Sequence, residues 1–170
     1  SIQSLYWRMP WLVDLPLPDA RAASGTAGPS GSAAVPILFV HGYVCNGALW
    51  RPLALQAARA GRPVATVSLT PWFASIDTFA DQLEVAAAAL LQRTGAQQLD
   101  IAAHSMGGLV MRAWAVRDDG ARLRRAVMVG SPQGGAWSAH HALGLCAMQM
   151  RLASPWLARL AAAESPALRS

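Results

Sequence analysis

The stretch Leu99-Asp100-Ile101-Ala102-Ala103-His104-Ser105-Met106-Gly107-Gly108-Leu109-Val110-Met111 changes period at its middle. Up to Ala103 it is a short run, apolar but for Asp100, as expected of a buried strand. From Met106 to Val116, residues Leu109, Val110, Ala113 and Trp114 recur at helix spacing. Ser105 stands at the change, on a tight strand-to-helix turn. Such a turn brings neighbouring backbones close, so small residues belong two places before and two after it, here Ala103 and Gly107. The geometry lifts the hydroxyl to the carboxyl end of the sheet. It also sets it at a helix N-terminus, whose N–H groups and positive dipole end favour a developing oxyanion. Ser105 is therefore the candidate nucleophile; the plainer alternative is a helix cap.

Working outward, the same alternation of strand and helix repeats. Ile37-Leu38-Phe39-Val40 is a short, wholly apolar run. Residues 47–60 have helical period, with Trp50, Leu53, Ala54 and Ala57 on one face. Val64 to Leu69 is a second strand. Ile76, Phe79, Ala80, Leu83, Ala87, Leu90 and Leu91 mark a long helix with acidic first turns, and Gly95 fits its C-terminal stop. Ala126 to Val129 is a fourth strand. This order predicts an α/β fold, a mostly parallel sheet flanked by helices. Residues 24–35 are almost all Gly, Ser, Pro and Ala and read as a flexible linker. They divide an N-terminal arm, 1–23, from the domain, 36–170. The arm joins Tyr6, Trp7 and Trp11 to Arg8 and several prolines. It reads either as an extended strap or as an interfacial segment beside a membrane helix preceding Ser1.

Composition narrows the classes. Of 170 residues 54% are apolar and 14% charged, which excludes a disordered chain. Two cysteines, Cys45 and Cys146, are too few for a disulfide scaffold, and their pairing is left open. No uninterrupted apolar run is long enough to span a bilayer. All 14 basic residues are arginine and the net charge is +5. The arginines are scattered, with Arg122, Arg124 and Arg125 the one tight cluster, so no nucleic-acid stripe is expected. A basic face touching acidic lipid stays open. His140 and His141 are adjacent and point apart on a helix, so no metal site is expected, and no cofactor.

Two further segments belong to the same rim. Val40-His41-Gly42-Tyr43 follows the first strand, and Gly130-Ser131-Pro132-Gln133-Gly134-Gly135 follows the fourth. The oxyanion donors expected are the backbone N–H groups of Met106 and Tyr43, with His41, Gly42, His104 and Gly107 supporting loop and elbow. V-H-G-Y, A-H-S-M-G-G and G-S-P-Q-G-G, in this order and spacing, resemble the α/β-hydrolase superfamily, in its bacterial lipase and esterase branch. Where that branch usually has His after Ser/Thr-Pro, this chain has Gln133. The tail, with Cys146, Gln149-Met150 and Ser154-Pro155-Trp156-Leu157, resembles a group whose N-terminal part carries membrane helices.

The resemblance implies a carboxylic-ester hydrolase acting on lipid-like or small esters through a Ser105 acyl-enzyme. An acyltransferase of the same fold, or an inactive lipase-like fragment that only binds a ligand or partner, are the alternatives. It also implies a bacterial cell-envelope or membrane-associated setting, with a cytoplasmic one the alternative. A triad needs an acid and then a histidine after the serine. Asp118 and Asp119 fall at the far end of the sheet, and Glu164 precedes no histidine. The chain is thus expected to be a truncated hydrolase whose further strands carry the triad Asp and His. Residues 142–163, with Leu143, Leu145, Met148, Leu152, Trp156, Leu157 and Leu160, fall where hydrolases of this fold insert a cap; an ordinary helix on the sheet is the alternative.

Overall fold

The computed structural model describes residues 34–169. The arm at 1–23 and all but the end of the linker lie outside the described residues. Four strands are present: β1 (Ile37–Val40), β2 (Val64–Val67), β3 (Leu99–His104) and β4 (Leu123–Val129). They form one parallel sheet in the order β2-β1-β3-β4. Each crossover carries a helix: α1 (Arg51–Arg59), α2 (Ile76–Thr94) and α3 (Met106–Ala115). After β4 come α4 (Leu145–Gln149), α5 (Pro155–Ala163) and α6 (Pro166–Arg169).

The two sheet faces have separate cores. On one, Leu38, Val40, Leu99, Ile101 and Ala103 pack with Phe79, Leu83 and Leu90 of α2 and Leu109, Val110 and Trp114 of α3. On the other, Phe39 and Val64 pack with Trp50, Ala54 and Ala58. This two-sided burial is why β1 is apolar throughout. The face expected for residues 47–60 is corrected in part: Leu53 is half exposed and Ala58 replaces Ala57 as the buried position. The cause is a 3-10 turn at Gly47–Trp50, capped by Asn46, which shifts the angular phase before α1 begins. Trp50 is fixed independently, its indole N–H donating to the Val40 carbonyl at 3.0 Å. Helix α2 has the expected ends: Ser75 caps Thr78 at 3.0 Å, and Gly95 closes it at φ 70°.

Strand β4 begins three residues before the expected Ala126, because its charged start is stabilised across the ladder. The register shifts between Leu99 and Asp100, leaving Arg124 as the extra residue. Arg124 then meets Asp100 at 2.6 and 2.8 Å, and Arg62 meets the same carboxylate at 2.7 Å. Burial opposes ionisation of Asp100, but Arg124 and Arg62 outweigh it and hold the carboxyl below its ordinary range. Arg122 likewise forks onto Glu84 at 2.7 and 2.8 Å, reaches Asp118 at 2.5 Å and lies over the Trp114 ring. Arg122 and Arg124 of the sequence cluster are therefore spent on internal carboxylates.

Two outcomes follow from this packing. A carboxyl depressed in the folded state stabilises fully above its ordinary pKa and loses that contribution as pH falls through the folded value. Melting temperature should therefore fall more steeply in the wild type than in Asp100→Asn between about pH 5 and pH 2; equal slopes would contradict the assignment. Secondly, β4 is the edge of the described sheet, with Val127, Met128 and Val129 exposed. Val127→Lys should reduce concentration-dependent association, read by size-exclusion chromatography, while changing stability by no more than about 0.5 kcal/mol.

Candidate active site

All four strands end at one rim. Ser105 follows β3 there with φ 52° and ψ −124°, in a region that costs a non-glycine residue about 1–3 kcal/mol. Its side chain makes no capping hydrogen bond to α3, so the helix-cap alternative does not describe it. Its backbone is held on both sides: the N–H donates to the Val129 carbonyl at 2.9 Å, and the carbonyl accepts from Gly108 N–H at 3.1 Å.

The small residues around the turn have steric reasons. A Cβ on Gly107 would lie 2.6 Å from the His41 carbonyl oxygen and 2.8 Å from that of Val40. Helix α3 can start against the end of β1 only without a side chain there. A Cβ on Gly42 would lie 2.9 Å from the Ser105 Cβ and 3.1 Å from His104 Nδ1. The loop after β1 thus runs directly beside the serine, and Gly108 stands against the Ser131 side chain in the loop after β4. The elbow is thus in contact with the loop after β1 and with the loop after β4.

His41 holds the first loop in place. It is 2% exposed; its Nε2 accepts from the buried Leu69 N–H at 2.9 Å, and its Nδ1 faces the Gly42 carbonyl at 2.8 Å. A backbone N–H can only donate, so the proton belongs on Nδ1, and the neutral ring bridges the loops after β1 and β2. His104 is half-buried, and desolvation moves its pKa below the ordinary 6.5. Tyr43 lies one residue beyond Gly42. Its hydroxyl donates to the Leu143 carbonyl at 2.7 Å and accepts from Leu143 N–H at 3.2 Å. Burial, against that backbone bond, raises its pKa above 10.0.

The segment 142–163 forms α4 and α5 on the rim and against α2. Leu145 and Cys146 N–H groups donate to the carbonyls of Phe73 and Ala74. Trp156 and Gln149 donate to the Asp77 carboxylate, and Gln149 accepts from Ile76 N–H. At its end Glu164 takes a fork from Arg112 of α3 at 2.5 and 2.9 Å, and Arg112 also donates to Gln133 at 2.7 Å. Gln133, which departs from the branch's usual histidine, thus serves a link between α3, the loop after β4 and the end of α5. Cys45 and Cys146 are free thiols, Cys146 donating toward the Trp72 carbonyl. His140 and His141 are exposed, and His141 stacks edge-on with Trp137.

The model of the α/β hydrolase fold family matches residues 35–169. The chain belongs to the α/β-hydrolase family. Among solved structures it is similar to the mature lipase BlEst2 of Bacillus licheniformis, with TM-score 0.68 at 17% identity over 86% of this chain and 66% of that one. It is similar to phospholipase PlaB of Legionella pneumophila, with TM-score 0.64 at 16% identity over 78% and 35% of the two chains. A Listeria innocua protein, the lin2722 gene product, gives TM-score 0.53 at 22% identity, over 62% of this chain and 55% of that one. At such identities the likeness is one of fold, and this hydrolase-family chain spans less than two-thirds of each of these structures. No curated protein sequence matches it.

The role given to His41 has a direct check. His41→Ala leaves the buried Leu69 N–H without its acceptor and should cost about 1–3 kcal/mol in denaturant unfolding. His41→Ala as stable as the wild type would show that the bridge does not hold the loop.

Proposed function

We propose that this α/β-hydrolase chain carries the nucleophile and oxyanion hole of a serine carboxylic-ester hydrolase acting on lipid-like or small esters. The observation that carries the reading is the strained backbone of Ser105 at the start of α3. A non-glycine residue at φ 52° persists only where its surroundings enforce it, and here they aim the side chain off the sheet rather than into a cap. The lipase and phospholipase among the fold neighbours support the substrate class.

In this reading the Ser105 hydroxyl oxygen attacks the ester carbonyl carbon while a base takes its proton. The carbonyl oxygen becomes an oxyanion facing the N–H groups of Met106 and Tyr43. The alcohol leaves with the proton returned by the base, and water then releases the acid from the acyl-enzyme. His41 and Gly42 hold the Tyr43 N–H in position, and Gly107 lets α3 bring up that of Met106. Each such donor is worth roughly 10²–10³ in kcat.

In this reading the base and its orienting carboxylate come from outside residues 34–169. His41 has both ring nitrogens engaged in the loop. Glu164, Asp118 and Asp100 are each committed to arginine.

Two measurements test this. In the protein with a full triad, a fluorophosphonate ester should label Ser105 and fail to label Ser105→Ala; label retained in the variant overturns the nucleophile. Residues 1–170 alone should turn over p-nitrophenyl esters far below the ordinary rate of about 10 s⁻¹. A rate of that order would place the base within the chain.

A further inference from the structure

The loops after β1 and β4 flank the elbow, and with the loop after β2 they leave large apolar side chains in solvent. Val44, Trp72, Phe73, Leu143, Leu145 and Met148 are each between 45% and 72% exposed. All of these but Val44 belong to one patch. Tyr43 stands edge-on to Trp72 with ring centroids 6.0 Å apart, and Trp72 edge-on to Phe73 at 5.5 Å. The Tyr43 hydroxyl is bonded to the Leu143 backbone, and Leu145 N–H to the Phe73 carbonyl. A groove of about 600 Å³ runs between Phe73, Leu143, Leu145 and Met148, with Arg151 on its lining. Single exposed apolar residues are ordinary; a contiguous aromatic and aliphatic patch marks an interaction surface.

Charge says what it meets. Residues 40–50, 68–76 and 130–163 contain no carboxylate, and their formal charges are Arg151 and Arg159. The nearest acid in sequence, Asp77, is engaged by Trp156 and Gln149. Glu84, Asp100, Asp118 and Glu164 are paired with arginines. A face with Trp, Phe and Leu exposed, arginine beside them and no carboxylate complements apolar chains beneath anionic headgroups. No described helix is long and apolar enough to cross a membrane.

We propose that this rim docks the protein onto an anionic phospholipid bilayer, with Ser105 on the docked side of the sheet. The proposal rests on the nucleophile reading for what the docking serves, but its binding can be read without turnover. The test uses the Ser105→Ala chain, so that lipid is not consumed. It is floated with vesicles of phosphatidylcholine, alone or mixed with phosphatidylglycerol. It should float with the mixed vesicles, less with phosphatidylcholine alone, and less again as salt rises. Leu143→Glu with Leu145→Glu should weaken partitioning by about tenfold or more. Val85→Glu, on an exposed position of α2 outside the patch, should leave it unchanged. Leu143→Ser with Leu145→Ser repeats the test without added charge, and circular dichroism checks that both pairs fold.

No flotation with either vesicle overturns the proposal, as does flotation that neither double variant diminishes. Equal binding to both vesicles overturns the choice of an anionic surface. A wild-type dimer that the patch variants dissolve, seen by size-exclusion chromatography, assigns the face to a second copy of the chain instead. Fluorophosphonate labelling of Ser105 without vesicles reports on the nucleophile separately. Labelling retained alongside failed flotation removes the docking face only.

Discussion

Two backbones approach each other so closely at the rim of the sheet that neither tolerates a side chain. Gly107 abuts the carbonyls of Val40 and His41, and Gly42 abuts Ser105. The first contact lets α3 start directly over the end of β1; the second brings the following loop beside the serine. Ser105 can occupy its unfavourable backbone region because the strand before it, the helix after it and the Val129 carbonyl leave no other path. The cost of about 1–3 kcal/mol is small beside the burial of Leu38, Val40, Ile101, Leu109, Val110 and Trp114 around the same crossing. Two fully buried leucines alone offset it, at roughly 1.5–3 kcal/mol each.

From that crossing the remainder of the rim is tied down by polar bonds as well as by core residues such as Leu69, Cys146 and Leu157. His41 links the loops after β1 and β2, Tyr43 links the first loop to Leu143, and Arg112 links the elbow helix to Gln133 and Glu164. Removing one frees a loop at the site without dissolving the sheet. The site is therefore more sensitive to substitution than the global stability is.

The sequence was most legible where local pattern and packing ask for the same residue. Ile37–Val40 had to be apolar on both sides, and Ala103, Gly107 and the period change at Ser105 are local signatures of the turn. Gly95 and Ser75 mark the ends of α2 by their own backbone chemistry. It was least legible where a partner far along the chain decides the outcome. Arg124 extends β4 toward its start because Asp100 waits across the ladder, and nothing near Arg124 announces it. The Tyr43–Leu143 pair is 100 residues apart. Gln133 looked like a mere departure from a family pattern, and gains a role only once Arg112 is placed beside it. Leu53 was expected inside and is outside because a 3-10 turn, invisible to a periodicity argument, rotates the helix that follows.

We propose that the crossing of β1 and α3 builds a nucleophile with two backbone donors facing one point. A crystal structure of the protein phosphonylated at its reactive serine tests it directly. The account predicts phosphorus on Ser105 Oγ and a phosphonyl oxygen about 2.7–3.1 Å from the N–H groups of both Met106 and Tyr43. A phosphonyl oxygen turned to solvent, or an adduct on any other residue, would contradict it.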